Sequence, residues 1–220
     1  MILQILPTKK IIYPDDDGLP MSNNTEQFDW IVLVKENLEY LFANDPDVFV
    51  AGDLLWYPLA GNNTIRTAPD AMVVFGRPTG RRGSYMQWLE TDIPPQVVFE
   101  ILSPENRAAE MAKKLKFYER YGVKEYYLYD PERIDLTGWQ RIEAELEVID
   151  GINGWVSPRL NIRFDLTDDQ LELYFPDGKK FISLKAEKLR ADQAQLQIQQ
   201  EKQRADCLAE KLRALGIEEE

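Results

Sequence analysis

Histidine is absent from the 220 residues, cysteine occurs once, and positive charge runs short, with 26 Lys and Arg against 38 Asp and Glu. Each shortage excludes something. Without histidine there is no Ser-His-Asp or Cys-His nucleophile, no histidine-built zinc site and no histidine base. Hydrolytic chemistry must then rest on carboxylates, lysines and a hard, oxygen-seeking cation such as Mg²⁺ or Mn²⁺. Cys207 alone cannot close an internal disulfide, which points to a reducing cytoplasm. A net charge of −12 repels a polyanion at long range and argues against avid, non-specific nucleic-acid binding. No run approaches the roughly 18 consecutive apolar residues of a membrane span. The opening MILQILPTKK has its apolar residues before its lysines and no small-residue cleavage site, so it does not read as a signal peptide.

What is present suits one substantial domain with an appendage. Hydrophobic residues make up 44%, with five Trp, ten Tyr and nine Phe, enough for a core and against extended disorder. Residues 1–25 are turn-rich and read as a loosely packed arm, and Asp15-Asp16-Asp17-Gly18 reads as a solvated turn rather than a cation site. Across Gln27–Phe42, Phe28, Ile31, Val34, Leu38 and Leu41 recur at steps of three and four and predict an amphipathic helix. Strands are expected at Val48–Tyr57, Ala68–Phe75 and Gln96–Leu102. The third is apolar except for Glu100, as in a strand buried on both faces. Ser103-Pro104 offers an N-cap followed by proline for a helix running to Tyr121 and stopping at Gly122. A strand Glu125–Tyr129 follows. From 136 to 182, short segments between Gly, Pro, Asn and Asp turns predict an antiparallel meander.

From Ser183 to Leu215 there is no Gly, Pro or aromatic residue, which predicts one long helix. Leu184, Ala191, Ile198, Ala205 and Leu212 fall seven apart, with Ala194, Leu208 and Leu215 at companion positions. Glu187 and Glu201 interrupt the companion series, so a weak coiled coil and a solvated single helix fit equally well. A homodimer through this helix is one expectation. The tail carries seven Lys and Arg and eight Asp and Glu, leaving the rest of the chain at about −11.

Chemistry concentrates in the middle segment. Pro69-Asp70 opens one strand, Glu100 lies in the next, and Lys114 follows on the helix. Period-two alternation puts Glu100 and Leu102 on one face, with Phe99 and Ile101 on the other. A carboxylate inside an apolar strand is costly unless it is paired, hydrogen-bonded or bound to metal. A cation shared with Asp70 satisfies that requirement, and so does a buried ion pair to a lysine or arginine. On the helix, Ala108, Met111, Ala112, Leu115 and Tyr118 define an apolar stripe. Lys114 lies roughly 80° from its centre, Lys116 roughly 120° and Lys113 nearly opposite. Lys114 alone can reach the strand carboxylates from the rim of the core.

The segments VFVAGDLLWYP, IRTAPDAMVVFGRP and PPQVVFEILSPENRAAEMAKKLKFYERYGVKEYYLYDPE resemble the Uma-two family of bacterial endonucleases, within the PD-(D/E)XK superfamily. The resemblance covers roughly residues 25–182. It implies an α/β, restriction-endonuclease-like domain over 1–182: a mixed central sheet flanked by helices, with the meander, followed by a helical tail over 183–220. It also implies Asp70 and Glu100 as metal-binding carboxylates, the Ile101 carbonyl as a further ligand, and Lys114 as the catalytic lysine. The family's Gly-acid step falls on Gly52-Asp53, where glutamate is more usual, so Asp53 enters as a further candidate ligand. Leu102 stands where the superfamily motif normally has lysine, which implies that this function has moved to the helix.

Expected activity is therefore divalent-metal-dependent phosphodiester hydrolysis, with DNA as substrate. The best candidate for nucleic-acid contact is GRPTGRRGSYMQW, carrying Arg77, Arg81 and Arg82 beside Tyr85 and Trp88. A solvated loop with two core-capping aromatics explains that segment equally well. Net charge and Leu102 keep open a second reading, a non-catalytic nuclease-fold scaffold that assembles through its tail. A two-carboxylate hydrolase acting on sugars or peptides has no supporting motif beyond Asp70 and Glu100.

Overall fold

A computed structural model of the chain describes residues 11–16, 18, 22 and 24–214. The expectations for the opening decapeptide, for Asp17 and for Leu215 fall outside the described residues, as does the side chain of Leu212. Two compact units are present, Met1–Phe181 and Ile182–Glu220.

The first unit is built on a six-stranded mixed sheet. Its strands are β1 (Val48–Ala51), β3 (Ala71–Phe75), β5 (Val97–Ile101), β6 (Glu125–Asp130), β7 (Asp135–Ile142) and β8 (Glu145–Val148), neighbours in that order. Only β5 and β6 pair in parallel; the others are antiparallel. The parallel pair needs a crossover, and α2 (Ala108–Arg120) supplies it. Two further strands, β2 (Trp56–Tyr57) and β4 (Tyr85–Met86), form a short parallel ladder. The meander expected over 136–182 is divided: β7 and β8 extend the central sheet, while β9 (Trp155–Val156), β10 (Arg163–Leu166) and β11 (Leu171–Tyr174) make a separate antiparallel sheet.

Helix α1 (Thr25–Leu41) starts two residues before the apolar pattern does, because the Asn24 side chain accepts from the Gln27 N–H at 2.7 Å and caps it. Its buried face runs through Gln27, Ile31, Val34 and Leu38, and Phe28 is exposed instead. That face covers one side of the sheet together with Phe164, Leu171 and Leu173 from the smaller sheet. The opposite side holds Met72, Val74, Val98 and Tyr126, against Trp56 and against Tyr118 of α2. Helix α2 begins at Ala108 rather than at Ser103-Pro104. The Asn106 carboxamide accepts from the Ser103 N–H (2.7 Å) and hydroxyl (3.0 Å), holding a local turn that competes with the first helical turn. At the other end Arg141 donates to the carbonyls of Tyr118, Glu119 and Val123, satisfying acceptors that the helix leaves open.

The single strand expected over Val48–Tyr57 breaks at Gly52-Asp53. A Cβ on Gly52 would lie 3.2 Å from the Lys35 stem and 3.3 Å from the Asp70 carbonyl, and Asp53 takes a left-handed φ of 47°. Residues 11–14, expected to be loose, are held to the β2–β4 layer. The Tyr57 hydroxyl donates to the Pro14 carbonyl (2.7 Å), the Tyr13 hydroxyl accepts from Gly61 N–H (2.7 Å), and the Tyr13 ring packs on Tyr57 and Trp88.

The second unit is α3 (Leu184–Ala214), which the Ser183 hydroxyl caps by accepting from Ala186 N–H at 3.2 Å. Leu184, Leu189, Leu196, Ile198 and Leu208 are exposed along it. No helix among the described residues is long and apolar enough to cross a membrane.

Candidate active site

Asp70 stands at the entrance to β3, Glu100 near the end of β5, and Lys114 in the middle of α2. Antiparallel β3–β5 pairing sets Ala71 opposite Phe99, which carries Asp70 to the C-terminal end of β5. Asp70 Oδ2 accepts from the Ile101 N–H at 2.6 Å. Lys114 Nζ reaches Glu100 Oε2 at 2.7 Å, and the Tyr118 hydroxyl donates to Glu100 Oε1. Asp70 is 8% exposed and Glu100 2%, so two carboxylates share a nearly dry site beside one ammonium. Lys113 and Lys116 face water, as the helical stripe predicts.

The electrostatics follow from that arrangement. Burial, then the Glu100 charge, pushes the Asp70 carboxyl well above the usual carboxylate range; Lys114 and the Ile101 N–H oppose this, and the nearby Asp53 charge adds to it. Burial alone would lower the Lys114 ammonium, but the Glu100 and Asp70 carboxylates outweigh it and raise it. Lys114 is therefore a fixed positive charge at neutral pH and not a base. Burial and the Glu100 charge raise the Tyr118 phenol far above its ordinary range, so it stays protonated and donates to Glu100.

The Ile101 carbonyl accepts from the Gln27 carboxamide at 2.8 Å, a contact 74 residues apart in sequence. Asp70, Glu100 and the Ile101 carbonyl, all hard oxygens, come from the adjoining ends of β3 and β5. Each hydrogen-bonded oxygen keeps a second lone pair, and a divalent cation would relieve the Asp70–Glu100 repulsion. This donor set fits Mg²⁺ or Mn²⁺. Among the described residues no three acidic or cysteine side chains converge on one point, so Asp53 stands as a neighbour of Asp70 rather than a third arm of a side-chain cluster.

Sequence reasoning missed Tyr118 and Gln27. Tyr118 is four residues past Lys114 and therefore on the same helical face, a spacing that was available. Gln27 continues the buried 31-34-38 series of α1 toward the N-terminus, and a polar residue in line with an apolar stripe is itself a signal.

The arginines lie elsewhere. Arg77 Nε and Arg82 Nε grip the two oxygens of Glu90 at 2.8 and 2.7 Å, and Arg82 lies 3.9 Å above the Phe49 ring. Hydrogen bonds from Arg82, and then from Arg77, hold Glu90 below the usual carboxylate range. Both arginines are half-buried and engaged; Arg81 is exposed and makes no ion pair among the described residues. Tyr85 is buried and donates to the Ile93 carbonyl at 2.6 Å.

Among solved structures the chain is similar to that of "a putative nuclease belonging to DUF820" from Anabaena variabilis ATCC 29413. The two are 16% identical with a TM-score of 0.46, over 61% of this chain and 72% of that one. No protein among those with curated descriptions matches significantly. Residues 7–178 match the Uma2 family, described as "Putative restriction endonuclease", a span that takes in every residue of the centre just described. The chain belongs to that family.

Proposed function

We propose that the protein is a divalent-metal-dependent endonuclease that hydrolyses DNA phosphodiester bonds at Asp70, Glu100 and Lys114. The observation that carries this reading is the dry juxtaposition of two carboxylates with a lysine from a separate element. A purely structural ion pair needs one carboxylate, and a second like charge beside it works against stability.

Asp70, Glu100 and the Ile101 carbonyl would hold Mg²⁺ or Mn²⁺, which supplies Lewis acidity toward water and toward a scissile phosphate. The protein's own groups do the rest. Lys114, held against Glu100 at 2.7 Å, presents positive charge where negative charge develops on phosphate. Tyr118 fixes the Glu100 carboxylate plane, and Gln27 orients the Ile101 carbonyl. Asp53 lends negative potential from the β1 turn. Arg81, with Arg77 and Arg82 as its anchored base, contacts a substrate phosphate. The long helix α3 pairs two chains through its seven-residue series, and the protein works in the cytoplasm.

A scaffold without activity is the second reading. It draws on the engagement of Glu100 by Lys114 and Tyr118, of the Ile101 carbonyl by Gln27, and on the net charge. A cleavage and binding assay on plasmid and single-stranded DNA with Mg²⁺, Mn²⁺ or chelator separates the two. Metal-dependent cutting that disappears in Glu100→Gln supports the enzyme. Absence of binding and cutting under all conditions, or cutting at the wild-type rate in Glu100→Gln, sinks it.

A further inference from the structure

The first half of α2 leaves its apolar stripe uncovered. Ala108 and Ala112 are exposed, Met111 and Leu115 are half-buried, and only Tyr118, further along, is fully buried. Beneath them opens a cavity of about 580 Å³, walled on the sheet side by Tyr126 and Trp139. Leu102, two residues past Glu100 and on the same face, forms part of the wall, so the cavity adjoins the carboxylate strand.

Tyr126 is the second observation. Its side chain is fully buried, its ring lies 5.0 Å from that of Tyr118 and nearly parallel to Trp139 at 4.8 Å. Among the described residues nothing hydrogen-bonds its hydroxyl. A buried hydroxyl without a partner is costly, and native structures rarely keep one without a reason.

We propose that this cavity is a nucleobase subsite of the Asp70–Glu100–Lys114 centre, taking one unpaired base of a DNA strand whose phosphodiester lies at the carboxylates. The inference rests on the nuclease reading and narrows its substrate to single-stranded or locally melted DNA. Four features favour this occupant. The volume is within the range of small-ligand sites, about 300–1,000 Å³. Its sheet-side wall is apolar and aromatic, formed by Tyr126, Leu128 and Trp139, as base stacking requires, while Asn106 and Glu132 stand among the polar groups around it. Tyr126 offers one donor to a carbonyl or ring nitrogen on the base edge. The mouth is mixed in charge, with Arg107 beside an Arg133–Asp130 pair at 3.7 Å. A chain of charge −12 gains little from phosphate contacts, so stacking must supply the affinity. A base inside a duplex cannot enter unless it leaves its stack.

The test compares binding of two labelled single strands to the full chain by fluorescence anisotropy, with Ca²⁺ replacing Mg²⁺: a twelve-nucleotide oligothymidylate and an abasic strand of equal length. The wild type should prefer the base-bearing strand by about tenfold or more. Ala112→Leu, which fills the cavity, and Tyr126→Phe, which removes the hydroxyl, should each bring the ratio close to one without changing affinity for the abasic strand. Tyr126→Phe should melt no lower than the wild type, since it deletes an unpaired buried group. Equal wild-type binding of the two strands, or a preference that survives both substitutions, overturns the subsite. Plasmid cleavage measured alongside separates the failures. Cutting without base preference removes the subsite and leaves the nuclease, whereas base preference without cutting leaves the subsite and removes the nuclease.

Discussion

Glu100 and Glu125 stand on the two parallel strands of one sheet, face opposite sides of it, and are both almost fully buried. Their surroundings differ. Glu125 accepts from the Ser157 hydroxyl, from the Tyr127 hydroxyl at 3.0 Å and from the Arg159 N–H at 3.1 Å. These donors are neutral and close over it, joining β6 to the loop between β9 and β10. Burial raises the Glu125 carboxyl, and those hydrogen bonds partly restrain it. Glu100 has an ammonium at 2.7 Å, a phenol, and a second carboxylate close enough to raise that carboxylate's own pKa. One site is complete with protein donors. The other crowds two carboxylates beside one ammonium, and that contrast is what the proposed function rests on.

Activity should break the symmetry first. Lys114→Ala and Glu100→Gln are each expected to lower cleavage by about 10²–10³-fold, the scale of losing a charge-stabilising group. Lys113→Ala and Lys116→Ala should keep most of it. Glu125→Gln, assayed on folded protein, should cut at close to the wild-type rate. Equal losses at Glu100 and Glu125 would erase the distinction.

Stability should break it the other way. Glu125→Ala strands three donors in the core and should lower unfolding stability by about 3 kcal/mol in urea denaturation. Glu100→Ala should cost less, because losing the Lys114 and Tyr118 partners is offset by relief of Asp70.

Asp70 then reports on the cation. A carboxyl whose native pKa is raised contributes stability that is fully present below its unfolded value and is lost as pH rises through the native one. In chelator, wild-type stability should therefore fall across that interval, and Asp70→Asn should remove this component of the decline. At neutral pH Asp70→Asn should melt about 2–4 °C higher, on the order of 1 kcal/mol for a chain of this size. Mn²⁺ should raise the wild-type melting temperature and leave Asp70→Asn nearly unmoved. Equal shifts in both proteins would remove the metal from this pair.

The smallest effects belong to the periphery. A chain of charge −12 offers few cations to phosphate, so the salt dependence of DNA binding should be shallow, and Arg81→Glu should weaken binding severalfold without altering the Mn²⁺ shift. Arg82→Glu should instead destabilise the loop, since it places like charge beside Glu90. Truncation after Ser183 should leave the first unit folded, and should lower the mass seen by light scattering if α3 pairs chains.

Much of this was legible in residue order. The absence of histidine restricts hydrolysis to carboxylate and lysine chemistry. Period two places Glu100 on the face away from Phe99 and Ile101, and the 100° step of a helix selects Lys114 from three neighbouring lysines. Those inferences need only local geometry, which the backbone repeats wherever it forms a strand or a helix. Local competition was harder to foresee: Asn106 delays α2, and Gly52-Asp53 breaks a strand whose apolar pattern runs straight through. Tertiary structure alone decided that Gln27 meets the Ile101 carbonyl across 74 residues and that Arg77 and Arg82 turn inward to Glu90. It alone decided that Glu125 is enclosed by hydroxyls while Glu100 shares its site with Asp70. Charge and hydrogen-bond partners are chosen by whichever chain segments packing brings within 3 Å, and no periodicity in the sequence encodes that choice.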